Sequence, residues 1–171
     1  MGRGIFITGG ARSGKSAFAL SLANQIPGRR AFIATMQALD SECAERIRRH
    51  KIERGAEWES FEEPIDIEPI IEAVNADVIV IDCLTLWLSN LMHTRADIAA
   101  RADSLSGAIA RRAERTQVIV VSNEVGLGIV PDNALARAFR DHAGALNRTI
   151  AAACQDAWLV VSGIPVKIKQ S

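Results

Sequence analysis

The sequence lacks an excess of charge of either sign, and it lacks a dense set of cysteines. Lysine and arginine together number 20, as do aspartate and glutamate, so the formal net charge at pH 7 is zero. No overall field would therefore recruit nucleic acid or an anionic membrane. The three cysteines, Cys43, Cys83 and Cys154, are odd in number and far apart, which argues against a disulfide framework and against a cysteine-ligated metal site.

Long hydrophobic segments are also missing. No apolar run approaches the length of about 18 residues that a membrane span needs, and the first residues predict a strand rather than a leader peptide. With 49% hydrophobic and 23% charged residues, the composition is that of a globular protein. We expect one domain over residues 1–171, in a reducing cytoplasm.

A glycine-rich segment near the amino terminus carries the strongest functional signal. It fits the pattern G-x-x-x-x-G-K-[ST] of a phosphate-binding P-loop, and its residues are Gly9, Gly10, Ala11, Arg12, Ser13, Gly14, Lys15 and Ser16. A β-prone run precedes it at 5–8, and a helix-forming run follows at 17–23. In this order, backbone N–H groups and the helix N-terminus surround phosphate oxygens, the lysine reaches the outer phosphates, and the serine hydroxyl ligates Mg²⁺. The sequence therefore predicts binding of a nucleoside triphosphate.

The rest of the chain alternates between strand and helix patterns. Further strands are predicted at 31–35, 78–82, 117–122, 157–161 and 166–169, with a short aromatic segment at 57–61. Helices are predicted at 40–54, with Asp40 as the N-cap, and at 67–74, 84–92, 97–115 and 133–154. This alternation is typical of an α/β three-layer fold with a mainly parallel sheet, whose ligands lie beyond the carboxyl ends of the strands.

Asp82 ends the apolar run at 78–82, which is where a carboxylate that holds Mg²⁺ is expected in such a fold. A second interpretation stays open, because Thr85 follows three residues later and Asp82 is also a suitable helix N-cap.

The segment 46–54 places a histidine among arginines. On a helix, Arg46, His50 and Arg54 share one face, with Arg49 beside them. Neighbouring cations disfavour the imidazolium form, so we expect a neutral, nucleophilic ring that is suited to attack phosphorus. The alternative is an ordinary solvated helix face.

The loop at 123–132 follows a buried strand and contains two glycines and a proline. It suits a pocket wall or a closing lid, in which Asn123 and Glu124 orient a substrate hydroxyl or a Mg²⁺-bound water. An ordinary strand–helix turn explains the same pattern.

Together these motifs resemble a known family over nearly the whole chain. The resemblance rests on the P-loop, on Arg46-Ile47 with His50, and on further segments that recur in the family's order: residues 33–35, 121–126, 139–141, 144 with 146–147, and 161–165. The chain resembles the bifunctional adenosylcobinamide kinase/adenosylcobinamide-phosphate guanylyltransferases of cobalamin biosynthesis.

The resemblance implies a RecA-like core, a trimer and two reactions. The first phosphorylates adenosylcobinamide from ATP or GTP, and the second transfers GMP from GTP to the resulting phosphate through a phosphoramidate on the histidine that matches His50. It also implies nucleotide contacts outside the P-loop, at Ala34, Thr35, Lys51, Ile52, Glu53, Arg54 and Glu62.

Two other functions remain as alternatives. One is a small-molecule kinase of the P-loop class in which His50 is structural. The other is a nucleotide switch or regulatory ATPase without a small substrate, although the Asn123-Glu124 segment lacks the Lys-x-Asp continuation of guanine-binding switch proteins.

Overall fold

A computed structural model describes residues 3–38 and 41–170, without the side chains of residues 42, 43, 46, 49, 50 and 53. In chain order the elements are β1 (Gly4–Gly9), α1 (Lys15–Asn24), β2 (Arg30–Ala34), α2 (Ser41–Arg54), β3 (Trp58–Glu62), α3 (Ile67–Ala73), β4 (Val78–Asp82), α4 (Leu84–Thr94), α5 (Ile98–Arg112), β5 (Gln117–Val121), α6 (Ala134–Ala153), β6 (Asp156–Val161) and β7 (Ile164–Lys169). The predicted N-cap at Asp40 lies outside the described residues.

The strands form one sheet in the order β3-β2-β4-β5-β1-β6-β7. All neighbouring pairs are parallel except β6 and β7, which are antiparallel. The predicted mainly parallel α/β sheet is confirmed. The strand that leads into the P-loop, β1, lies between β5 and β6, and β5 separates it from β4.

Strand side chains alternate between two cores, one on each face of the sheet. In β4, Val78 and Val80 pack toward α1, whereas Ile79 and Ile81 pack toward α3, α4, α5 and α6. Because helices cover both faces, a central strand must be apolar at every position, which explains the continuous apolar runs of the sequence.

Helix ends follow local chemistry. Asp97 accepts the N–H of Ala100 at the start of α5, and Asn133 accepts that of Ala136 at the start of α6, as side-chain caps do. At its carboxyl end, α2 stops at Gly55, which has φ of 88°.

The last strand begins earlier than the sequence predicts, at Ile164 rather than at Val166, and it contains Pro165. Within the described residues β7 pairs only with β6, so a residue without an N–H is tolerated there. Among the helices of residues 3–38 and 41–170, none has the length and apolarity that crossing a bilayer would require.

Candidate active site

Hydrogen bonds from three directions fix the P-loop between β1 and α1. Within the loop, the N–H of Ser13 donates to the carbonyl of Gly10 at 3.3 Å. From the β6–β7 turn, Gly163 donates its N–H to the carbonyl of Ser13 at 2.9 Å, and from the loop after β5, Glu124 donates to the carbonyl of Gly9 at 2.9 Å. The loop therefore has a fixed shape that its neighbours determine.

Two P-loop positions require glycine. Gly9 has φ of 153°, and a Cβ built there would lie 2.3 Å from the carbonyl oxygen of Val160. Gly14 has φ of 96° and precedes the first turn of α1 in the left-handed conformation. A side chain at either position would strain the backbone.

Beside the loop lies a cavity of about 590 Å³ at the carboxyl ends of the strands. Segments that follow β1, β2, β4 and β5 meet there with α2, as the fold class predicts. The lining residues are Ala11, Arg12, Ser13, Gly14, Lys15, Ser16, Ala17, Phe32, Ala34, Met36, Ile47, Arg54, Asp82, Cys83, Leu86 and Asn123.

Lys15 places a buried cation at this cavity. The residue is only 6% exposed, and its Nζ donates to the carbonyl of Gly10 at 2.6 Å and approaches Ser13 Oγ at 3.4 Å. Burial lowers the pKa of Lys15, while the charge of Asp82 opposes that shift. A desolvated ammonium group beside a loop with the P-loop pattern is suited to bind phosphate oxygens.

Asp82 and Ser16 both line the cavity and offer the oxygens that Mg²⁺ prefers. The N-cap of α4 is Cys83, without a side-chain capping bond, so Asp82 belongs to β4 and the capping interpretation of this residue is wrong. In the described part of the chain, no three His, Cys, Asp or Glu side chains group closely enough to hold a metal ion. The residues present fit Mg²⁺ held by one or two protein oxygens together with nucleotide phosphates.

Arg54, the last residue of α2, brings a second buried cation to the cavity. It is 9% exposed, and its guanidinium carbon lies 3.9 Å from the centre of the Phe32 ring. Burial lowers its pKa, against the charges of Asp82 and Glu62, but an arginine stays protonated at neutral pH. Its Nε has no hydrogen-bond partner among the described residues.

Four other predicted contacts lie away from this cavity's lining. Thr35 donates its hydroxyl to the carbonyl of Cys83 at 2.7 Å and accepts the N–H of Cys83 at 2.9 Å, so its side chain holds the end of β4. Lys51 pairs with Glu62 at 3.6 Å. Lys51 and Ile52 line a smaller cavity of about 280 Å³. The side chains of His50, Arg46, Arg49 and Glu53 lie outside the described residues.

Sequence reasoning missed the apolar part of the cavity wall. The residues that form this part of the wall are Phe32, Met36, Ile47, Cys83 and Leu86. Met36 and Cys83 could have been predicted, because they follow the carboxyl ends of β2 and β4. Burial, with a smaller contribution from Asp82, raises the pKa of Cys83 to about 11. Its thiol is therefore neutral and contributes apolar surface rather than charge.

A family model identifies the chain. The model for cobinamide kinase / cobinamide phosphate guanyltransferase (CobU) matches residues 5–168. The chain belongs to this family.

Relatives in the family match over nearly their whole length. The bifunctional adenosylcobalamin biosynthesis protein CobU of Salmonella typhimurium is 43% identical, covering 96% of this chain and 99% of that protein. CobU of Escherichia coli is 39% identical with the same coverage. The bifunctional adenosylcobalamin biosynthesis protein CobP of Pseudomonas aeruginosa is 40% identical over 95% of each chain.

Solved structures of a recombinase and of an ATPase share the fold. The RadB recombinase superposes with a TM-score of 0.56 at 15% identity, covering 92% of this chain and 73% of that one. An ATPase of a bacterial type III secretion system gives a TM-score of 0.53 at 11% identity, covering 98% of this chain and 57% of that one. At these identities the likeness is one of fold, and it confirms the expected RecA-like core.

Proposed function

We propose that this enzyme first phosphorylates adenosylcobinamide with a nucleoside triphosphate. The aminopropanol hydroxyl oxygen attacks the γ-phosphorus and loses its proton, while the nucleoside diphosphate leaves. The P-loop, Lys15 and Arg54 hold the triphosphate by charge and by backbone N–H groups. Ser16 and Asp82 would hold Mg²⁺, which would neutralise negative charge on the phosphoryl group during its transfer.

The second proposed reaction transfers GMP. A ring nitrogen of His50 attacks the α-phosphorus of GTP, and pyrophosphate leaves with the electrons of the broken P–O bond. An oxygen of adenosylcobinamide phosphate then attacks the phosphoramidate, the N–P bond breaks, and adenosylcobinamide-GDP forms with the histidine restored. No protein nucleophile is needed for the first reaction, since the acceptor hydroxyl attacks directly.

One observation carries the proposal: the cavity joins Lys15, Ser16, Asp82 and Arg54 at one place in a chain of this family. Ile47 and Arg54 of α2 both line that cavity. Positions 47, 50 and 54 follow the i, i+3, i+7 spacing of one helix face. This spacing supports the assignment of His50, which rests otherwise on the family resemblance.

The remaining nucleotide contacts are proposed at the edge of the cavity. Ala34 lines the cavity directly. The negative charge of Glu62 raises the pKa of Arg54, against the effect of burial. We assign Thr35 a role through the backbone of Cys83. Lys51 and Ile52 are proposed as nucleotide contacts at the smaller cavity that they line, and Glu53 is proposed on the family resemblance alone.

Labelling separates the two reactions. GTP labelled at the α-phosphorus should leave an acid-labile, base-stable label on the protein, whereas γ-labelled GTP should not. His50→Ala should abolish this labelling and guanylyl transfer, yet keep phosphorylation of adenosylcobinamide within about tenfold, or about 1.4 kcal/mol of barrier.

The chain provides matched controls, because it has three histidines. His93→Ala and His142→Ala should each keep both activities and the label. Guanylyl transfer at the full rate in His50→Ala, or label mapped to His93 or His142, would show that His50 is not the nucleophile.

We also propose that the enzyme works as a homotrimer in the cytoplasm. Every second residue of β7 is apolar and exposed: Ile164 at 66%, Val166 at 48% and Ile168 at 58%. Together they form an apolar surface at the edge of the sheet that a neighbouring subunit can cover. The free, buried Cys83 and Cys154 suit a reducing compartment. Light scattering should give three times the chain mass of 18.5 kDa; a monomer would contradict the assembly.

A further inference from the structure

Asn123 lines the cavity, and both of its backbone polar groups are hydrogen-bonded to neighbouring helices. Its N–H donates to Thr85 Oγ1 at 2.7 Å, and its carbonyl accepts from Asn147 Nδ2 at 3.2 Å. Thr85 belongs to α4 and Asn147 to α6. Two helices that are distant in sequence therefore fix one loop residue from both sides.

Ser122 closes these contacts into a ring. Its hydroxyl donates to Asn147 Oδ1 at 2.6 Å. Thr85 Oγ1 lies 3.4 Å from Ser122 Oγ, and either hydroxyl can be the donor in this contact. Ser122 thus donates to Asn147, Asn147 to Asn123 and Asn123 to Thr85, and the contact between Thr85 and Ser122 completes the ring.

The ring is buried. Thr85, Ser122 and Asn147 are 9%, 2% and 9% exposed. Asn147 accepts from Ser122 and donates to Asn123, and Thr85 accepts the N–H of Asn123, so the loss of that amide or hydroxyl leaves buried groups unpaired. An asparagine inside a helix is a poor helix former, and here its amide serves the loop rather than α6.

The ring lies where the reacting phosphate is expected. Val121, at the end of β5, is paired on one side with Ile7, two residues before the P-loop, and on the other with Asp82. Asn123 follows two residues later, between the segments that follow β1 and β4, and it lines the same cavity as Lys15 and Asp82. A carboxamide held there can donate to phosphate oxygens or to the attacking group.

We propose that Thr85 and Asn147 are positioning residues that hold the carboxamide of Asn123 against the reacting end of the bound triphosphate. The inference rests on the proposed function, since it names phosphorylation of adenosylcobinamide as the step that depends on this geometry. Thr85 and Asn147 act only through Asn123, and Asn123 is the group that touches substrate.

The test compares two threonine variants with a matched control. Thr85→Val keeps the shape but removes the hydroxyl, and Thr85→Ser keeps the hydroxyl but removes a methyl group. Thr116→Val is the control, because Thr116 is also buried, at 3% exposure, and donates its hydroxyl to the carbonyl of Ala76 at the opposite end of the sheet. The measurements are kcat and KM for phosphorylation, melting temperature, and hydrogen exchange of the peptide that contains residue 123.

Thr85→Val should reduce kcat at least tenfold with less than a threefold change in the KM for nucleotide. Thr85→Ser should recover kcat to within about threefold of the wild type despite its lost methyl group, and Thr116→Val should stay within twofold. Exchange at residue 123 should rise in Thr85→Val only. Asn147→Leu should repeat the kcat loss of Thr85→Val.

Equal kcat in Thr85→Val and Thr116→Val, activity that merely follows melting temperature, or unchanged exchange at residue 123 would each overturn the inference. If the wild type does not phosphorylate adenosylcobinamide, the proposed function is wrong. Hydrogen exchange then decides by itself whether the ring holds Asn123.

Discussion

Replacing Lys15 with methionine tests whether one phosphate site serves both reactions. Lys15 lines the cavity and is only 6% exposed. A hydrogen bond between charged groups contributes about 1.5–3 kcal/mol. Its loss from both transition states should reduce kcat/KM about 10- to 150-fold in each reaction.

The same variant should not be less stable than the wild type. Because burial lowers the pKa of Lys15, the folded state binds this proton less tightly than the unfolded state does, so the charge disfavours folding at neutral pH. Methionine retains the apolar stem and removes that charge. The melting temperature of Lys15→Met should therefore stay at or above that of the wild type, which separates lost chemistry from lost folding.

Two assays on one preparation supply the answer: transfer of γ-label to adenosylcobinamide, and transfer of α-label from GTP to adenosylcobinamide phosphate. Arg111→Met is the control, because it removes the same charge from an exposed pair with Glu72 on the helix layer. It should leave both rates unchanged. A loss greater than tenfold in one reaction, with the other kept within twofold, would refute a shared site.

Three further predictions follow from the same geometry. Asp82→Asn should reduce Mg²⁺-dependent turnover without lowering the melting temperature; normal turnover with a lower melting temperature would make the carboxylate structural. Gly9→Ala should cost about 1–3 kcal/mol, or roughly 2–12 °C in melting temperature. Gly10→Ala, whose Cβ would contact nothing within 4 Å, should leave the melting temperature unchanged; equal melting temperatures in the two variants would contradict the clash at Gly9. Burial raises the pKa of Cys83 to about 11 and that of Cys154 to about 12, so both thiols should stay neutral at pH 8. Mass spectrometry should show slow alkylation of both until the protein is unfolded; equal alkylation rates in the native and unfolded protein would count against burial.

Local patterns were sufficient to predict the scaffold of the site. A glycine loop between a strand and a helix has one stable arrangement around phosphate, and a continuous apolar run ending in Asp82 predicts a central strand with its carboxylate at the ligand edge. Gly55 marked the end of α2 for the same reason, since its positive φ suits glycine.

Contacts between distant segments could not be predicted in this way. The hydroxyl of Thr35 binds the backbone of Cys83, 48 residues away. The bond between Ser122 and Asn147 spans 25 residues, and neither residue shows a periodic or capping signal. Such pairs depend on how the sheet orders its strands, which short-range spacing does not determine.

The strand order also has a consequence for synthesis of the chain. Although β1 is made first, its partners β5 and β6 begin at Gln117 and Asp156, so its edges stay unpaired while more than half of the protein is translated. At about 5–20 residues per second, β5 follows on the order of 5–20 s later. Meanwhile β2, β3 and β4 can pair with one another. A nascent chain therefore carries Ile5, Phe6 and Ile7 uncovered until its last third emerges, and a chain that stops before residue 156 leaves β1 as an open edge.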